Sequence, residues 1–218
     1  MVKILRPISP IFLVTLLGVS SAAVSSAALV NIAANSLAGS PARNIISSLG
    51  DPLPVGSAIR IGTFPAGAPV ITAASTFASV NALFVPLAES ASDPADGTTA
   101  PLEISSVQGA GKFAGTISNV DNSDARFSAG TAIYIFALNA PYSNLSGATE
   151  WAIFRDSVWD IPTTATRTLT TSQIDLQSEM VVGVQGPSSL RLVAIPEVST
   201  TLLSISAMGL GLLRRRRP

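Results

Sequence analysis

Two short runs, residues 131–139 (TAIYIFALN) and 149–156 (TEWAIFRD), constrain the fold more than any other part of this 218-residue chain. In an extended chain, Ile133 and Ile135 fall on one side of the first run and Tyr134 and Phe136 on the other. In the second, Trp151 and Ile153 oppose Ala152 and Phe154. Strands that are apolar on both sides must be covered on both sides. The two runs are therefore expected to pair antiparallel inside the molecule. Asn139 to Thr149 would join them, a longer connection than the usual hairpin loop of about 2–5 residues. As core, Tyr134, Phe136, Trp151 and Phe154 would each bury about 150–250 Å².

The rest of the chain between its ends reads mostly as short strands at 57–64, 166–170, 180–184 and 190–195, divided by turn-rich breaks. Residues 101–108 and 111–120 are separated by Gly109-Ala110-Gly111 and are expected to form a hairpin. One segment carries helical spacing, with Phe77, Val80, Phe84 and Leu87 at intervals of three and four. Pro86 should stop that helix near Val85. Many short strands with a single helix predict a mainly β fold, an antiparallel β-sandwich spanning 29–194 with a helical crossover. No internal repeat is visible.

Stability must come from burial, because the chain has no cysteine to cross-link it. It has no histidine either, which excludes thiol nucleophiles, Cys/His zinc sites and every triad with a histidine base. Only 12% of residues are charged. Between Leu29 and Leu192, seven basic residues face twelve acidic ones, a net of −5. A mildly acidic body lacks the clustered basic footprint that nucleic-acid binding needs. The remaining basic residues sit near the two ends.

At the N-terminus, Lys3 and Arg6 precede an apolar stretch from Ile11 to Val19 and then small residues, so 1–28 reads as a secretory signal peptide. Cleavage after Ala23 or Ala28 would fit. At the C-terminus, 195–218 reads IPEVSTTLLSISAMGLGLLRRRRP. Residues 198–213 would span about 24 Å as a helix, short of the bilayer's hydrocarbon core of about 30 Å. Arg214, Arg215, Arg216 and Arg217 favour the cytoplasmic side. Together with the signal peptide, they place the body outside the inner membrane. Pro196 biases Ile195 toward an extended conformation and keeps this stretch out of the following helix.

A Pro-Glu motif, a short apolar run and a terminal arginine cluster behind a signal peptide resemble the PEP-CTERM sorting signal. The matching residues are Pro196, Glu197, Ser199, Thr200, the apolar run and Arg214 to Arg217. Val198 stands where the family usually has a second proline. The resemblance covers the last 24 residues or so. It implies a substrate of an exosortase-type membrane protease or transpeptidase of polysaccharide-producing Gram-negative bacteria. It also implies transient anchoring in the inner membrane, then transfer to the cell surface or extracellular matrix. The paired strands resemble a pattern recurring in exported bacterial proteins with such tails, a likeness that implies no activity.

Three readings of the body follow. The first is a structural or adhesive, non-enzymatic role, with no cofactor and no metal, resting on the tail, the missing histidine and cysteine, and the thin charge. The second is a carbohydrate-binding module for exopolysaccharide, in which Tyr142, Trp151 and Trp159 stack on sugar rings. The third is a glycoside hydrolase drawing a carboxylate pair from Glu150, Asp156 and Asp160. Two acidic groups, Glu89, Asp93, Asp96 and Glu103, then Asp121 and Asp124, could offer oxygen ligands to calcium, but neither has the spacing of an EF-hand loop. They read as ordinary turns. Asn144-Leu145-Ser146 has the form of a glycosylation acceptor and nothing more.

Overall fold

A computed structural model of the chain describes residues 29–39, 41–87 and 102–196. Along the chain these form β1 (Leu29–Asn35), β2 (Asn44–Ile46), β3 (Ala58–Thr63), α1 (Phe77–Leu83), β4 (Val85–Pro86), β5 (Leu102–Glu103) and β6 (Ala114–Asp121). Then come β7 (Tyr134–Leu138), β8 (Glu150–Phe154), β9 (Thr166–Thr170), β10 (Met180–Val182), β11 (Val184–Gln185), β12 (Ser189–Arg191) and β13 (Val193–Ala194). The signal-peptide, membrane-helix and arginine-cluster readings fall outside the described residues. Among the described residues, no helix is long and apolar enough to cross a membrane.

The two doubly apolar runs become β7 and β8, paired antiparallel at the centre of a sheet ordered β10-β8-β7-β3-β4. β13 lies beside β8 and β5 beside β3. The register sorts the side chains cleanly. Ile59, Ile61, Ile135, Ala137, Ala152 and Phe154 share one buried cluster. Ala58, Phe136, Leu138, Trp151 and Ile153 share a second. Alternation in β3, β7 and β8 thus assigns every other residue to opposite faces, and each face has its own cover.

On the first face, the cluster also draws on Val30, Ile32 and Ala34 from β1, Ile117 and Val120 from β6, and Leu169 from β9. These strands form a second sheet ordered β6-β1-β9. β1 alternates buried and partly exposed residues, as expected of a strand covered on one side. β6 breaks that period, since Ile117 and Val120 are both buried although three residues apart. An irregularity in its pairing with β1 accounts for this: Val30 lies opposite Val120, and Ile32 opposite Ile117. The extra residue on β6 returns Val120 to the inner face. Asn119, at φ 62°, takes up the bend, and its N–H donates to Asn31 Oδ1 at 3.1 Å. Asparagine tolerates that left-handed conformation better than most residues.

On the second face the cover is α1 with the loops around it. Thr76 caps the helix by accepting from the Ser79 N–H at 3.3 Å, and Phe84 ends it with an N–H bonded to the Val80 carbonyl. Val85 and Pro86 then pair with β3, so the proline stops the helix where expected. Val80 and Phe84 point at Phe136, whose ring meets Phe84 edge-on at 5.4 Å.

Two expectations are corrected. The turn at Gly109–Gly111 exists, with the Ser105 N–H bonded to the Lys112 carbonyl at 2.8 Å, but β5 pairs with β3 and β6 with β1. The turn passes the chain between sheets instead of closing a hairpin. Gly111 sits against the backbone of β2, where a Cβ would lie 2.8 Å from the Ile45 carbonyl oxygen. Phe113, fully buried, follows it into the core. Nor is the pairing wholly antiparallel. β1 and β9 run parallel, as do β2 and β12 in a small third sheet ordered β11-β12-β2. Both ladders join distant parts of the chain, which leaves ample length for the crossover that parallel pairing requires.

Candidate functional site

Tryptophans offered as stacking platforms need a free face, and these have none. Trp159 is 0% exposed. Its ring lies 6.3 Å from Phe154, and its Nε1–H donates to Gln173 Oε1 at 2.9 Å. Gln173 Oε1 also accepts from Thr170 N and Oγ1, tying the indole to the end of β9. Trp151 is 3% exposed, with edge-on contacts to Phe136 at 5.6 Å and Phe77 at 5.8 Å. Tyr142 is half-buried in a 3₁₀ turn spanning Tyr142–Gly147, and its hydroxyl donates to the Ile59 carbonyl at 2.9 Å. The stacking assignment of Trp151 and Trp159 is therefore corrected: the alternation that made them prominent in sequence also turns them inward.

The long connection before β8 is ordered by one side chain. Asn139 Oδ1 accepts from the N–H groups of Thr149 and Glu150, both at 2.9 Å, and its Nδ2 donates to Thr149 Oγ1 at 2.8 Å. Arg60 is also buried on this face, over the rings of Phe84 at 4.9 Å and Phe136 at 5.4 Å, and it donates to Asn81 Oδ1 at 2.5 Å. Here the guanidinium packs against aromatic faces as well as hydrogen-bonding.

The three carboxylates proposed for hydrolysis are each engaged locally. Glu150 accepts from the backbone N–H and hydroxyl of Ser48. Asp156, nearly buried, accepts from the Val158 N–H at 2.8 Å. Asp160 pairs with Arg167. Glu150 opens β8 and Asp156 follows its far end, a separation along the strand of about 20 Å at 3.3 Å per residue. Asp160 bridges to Ala132, which precedes β7, and so lies at the same far end. Glycosidase pairs stand about 5–10 Å apart, so Glu150 is too remote to partner either aspartate.

Among the described residues, no three carboxylates gather into a metal cluster. Asp121 accepts from the Ser123 hydroxyl at 2.6 Å and its N–H at 2.9 Å, which holds its carboxyl below the usual range. Asp124 is lowered by its hydrogen bonds and 2.8 Å ion pair with Arg126. Both serve the turn after β6. Glu103 is exposed on β5, while Glu89, Asp93 and Asp96 lie outside the described residues.

A largely apolar concavity was not anticipated. It is a groove of about 700 Å³ between the start of α1 and the edge where β10 and β13 meet β8. Phe77 and Ala78 form one wall, Trp151 and Val182 the floor, Val193 and Pro196 the other wall, and none of the described residues that line it is charged. Gly183 lies at its edge with φ 123°, where a Cβ would come 2.8 Å from the Arg191 carbonyl oxygen. A sequence signal for this face was available: residues 61–88 contain no charge at all.

Of the sorting motif, only Pro196 is described, exposed and on the wall of this groove. Glu197, Val198, Ser199 and Arg214 to Arg217 lie outside the described residues. Just before it, β13 pairs Val193 with Trp151 and Ala194 with Glu150, and the Ile195 N–H donates to the Thr149 carbonyl at 2.7 Å. Compared with known proteins, the chain matches no family model, no curated protein and no solved structure.

Proposed function

We propose that residues 29–194 form an exported body with a structural or adhesive, non-enzymatic role. In this reading 1–28 directs export and 195–218 sorts the body, as a substrate of an exosortase-type membrane enzyme, to the cell surface or extracellular matrix. The body is taken as a β-sandwich, because the β6-β1-β9 sheet and the central sheet contribute to one buried cluster, with α1 as an added cover.

The observation that carries the reading is the exit of the chain. The last backbone bond of the described body is made by Ile195, and the Pro-Glu pair begins at the next residue. Pro196, the first residue of that motif, follows directly on a sheet edge and has no N–H with which to extend the ladder. The non-enzymatic part is supported by carboxylates already engaged in local bonds. An exopolysaccharide reading through aromatic stacking has no such support, since both indoles are buried.

Protease added to spheroplasts of the native cells tests the topology. The body should be digested while a cytoplasmic marker survives. A body protected until the inner membrane is lysed would overturn the reading.

A further inference from the structure

The groove has one property that singles it out: the chain forms part of its wall and leaves the described body there, at Pro196. We propose that it is an intramolecular seat for the start of the apolar run that follows, residues 198–203, which the body covers whenever that run is outside a bilayer.

Three observations converge on this occupant. The described lining residues are uncharged and include Phe77, Ala78, Trp151, Val182 and Val193, which suits the aliphatic side chains of Val198, Leu202 and Leu203, while Ser199, Thr200 and Thr201 between them are small. The volume, about 700 Å³, falls in the range of about 300–1,000 Å³ of pockets that enclose small apolar ligands. Reach is assured, because only Glu197 separates Pro196 from the run. An extended chain covers about 3.3–3.6 Å per residue, so 198–203 reach about 20 Å from Glu197. A tether this short gives an effective concentration in the range of mM, so a contact with a dissociation constant below that is mostly occupied. A free partner would have to displace a segment that is always at hand.

The groove and the membrane then compete for the same residues. Removal of the tail by a sorting enzyme would leave the groove open, with Trp151 at its floor. This goes beyond the sorting reading and does not depend on it, since a tethered apolar run would seek the groove whatever its other role.

The absence of cysteine makes the test clean. The full chain carrying Ala78→Cys and Leu202→Cys is oxidised in detergent-free solution; Ala78 is exposed, so its replacement leaves the core intact. A disulfide requires Cα atoms within about 7 Å. The proposal predicts that most molecules form the intramolecular bond. A chain with Val107→Cys, 87% exposed on the turn before β6, and Leu202→Cys should form at least fivefold less. Adding Ala74→Arg at the groove should lower the Ala78 yield comparably. Equal yields from the two partners, or bonds formed mainly between molecules, overturn the proposal. Vesicles of phosphatidylethanolamine and phosphatidylglycerol separate the two readings. With the vesicles added before the oxidant, failure of the bond to form supports both the seat and a membrane-seeking run. A bond that still forms in their presence supports the seat and contradicts the membrane span.

Discussion

The two faces of the central sheet are built from the same three strands but are closed differently. The first is covered by another sheet, whose strands place Ile32, Ile117 and Leu169 opposite Ile61, Ile135 and Phe154 in one cluster. The second is covered by a seven-residue helix and loops, and retains an apolar groove beside the chain exit. A sheet presents a broad continuous apolar surface, whereas one short helix covers only a stripe. The first face is therefore sealed, and the second is left partly open at the groove.

The largest effect should come from the sealed face. Trp159→Ala removes a fully buried indole and its bond to Gln173, and should cost about 3–5 kcal/mol in denaturant unfolding. Phe77→Ala, on the half-buried groove wall, should cost about 1–2 kcal/mol by the same measurement. Equal costs would erase the distinction between the faces. Gly183→Ala tests the rim of the groove. Its positive φ and the nearby Arg191 carbonyl should make the substitution destabilising by more than about 1 kcal/mol. Thr76→Ala should cost about 0.5 kcal/mol, at the low end for an N-cap because its bond is long.

The smallest effect is pH-dependent and belongs to the exposed turn after β6. Asp121 and Asp124 have carboxyls held below their usual values, mainly by the Ser123 hydroxyl and by hydrogen bonds from Arg126 respectively. Groups depressed in the folded state add stability that is present above the unfolded pKa of about 3.9 and is lost as pH falls through the lower folded value. Melting temperature should thus decline slightly more steeply below about pH 4 in the parent than in Asp121→Asn with Asp124→Asn. Salt should weaken the Asp124 part, because its partner is exposed.

Periodicity made the centre of the fold readable. β7 and β8 pair as their doubly apolar pattern implied, and α1 stops before Pro86 as the proline required. What sequence missed depended on partners distant along the chain. Gly109-Ala110-Gly111 has the chemistry of a hairpin turn, but nothing local reveals that Gly111 must pass the backbone of β2 and deliver the chain to another sheet. The parallel pairing of β1 with β9 joins residues more than a hundred positions apart, beyond any local pattern. The groove was partly legible: an uncharged stretch from 61 to 88 marks an unusual surface, though not which strand edge completes it. For Trp151 and Trp159, residue type suggested a binding face while strand alternation indicated core, and alternation prevailed.

The central claim is that the folded body gives way to a sorting segment at Pro196. Intact-mass measurement of the protein from extracellular and membrane fractions of native cells tests it most directly. The account predicts an extracellular species ending near Pro196 or Glu197, without Arg214 to Arg217. A chain found only in membranes and still ending at Pro218 would contradict it.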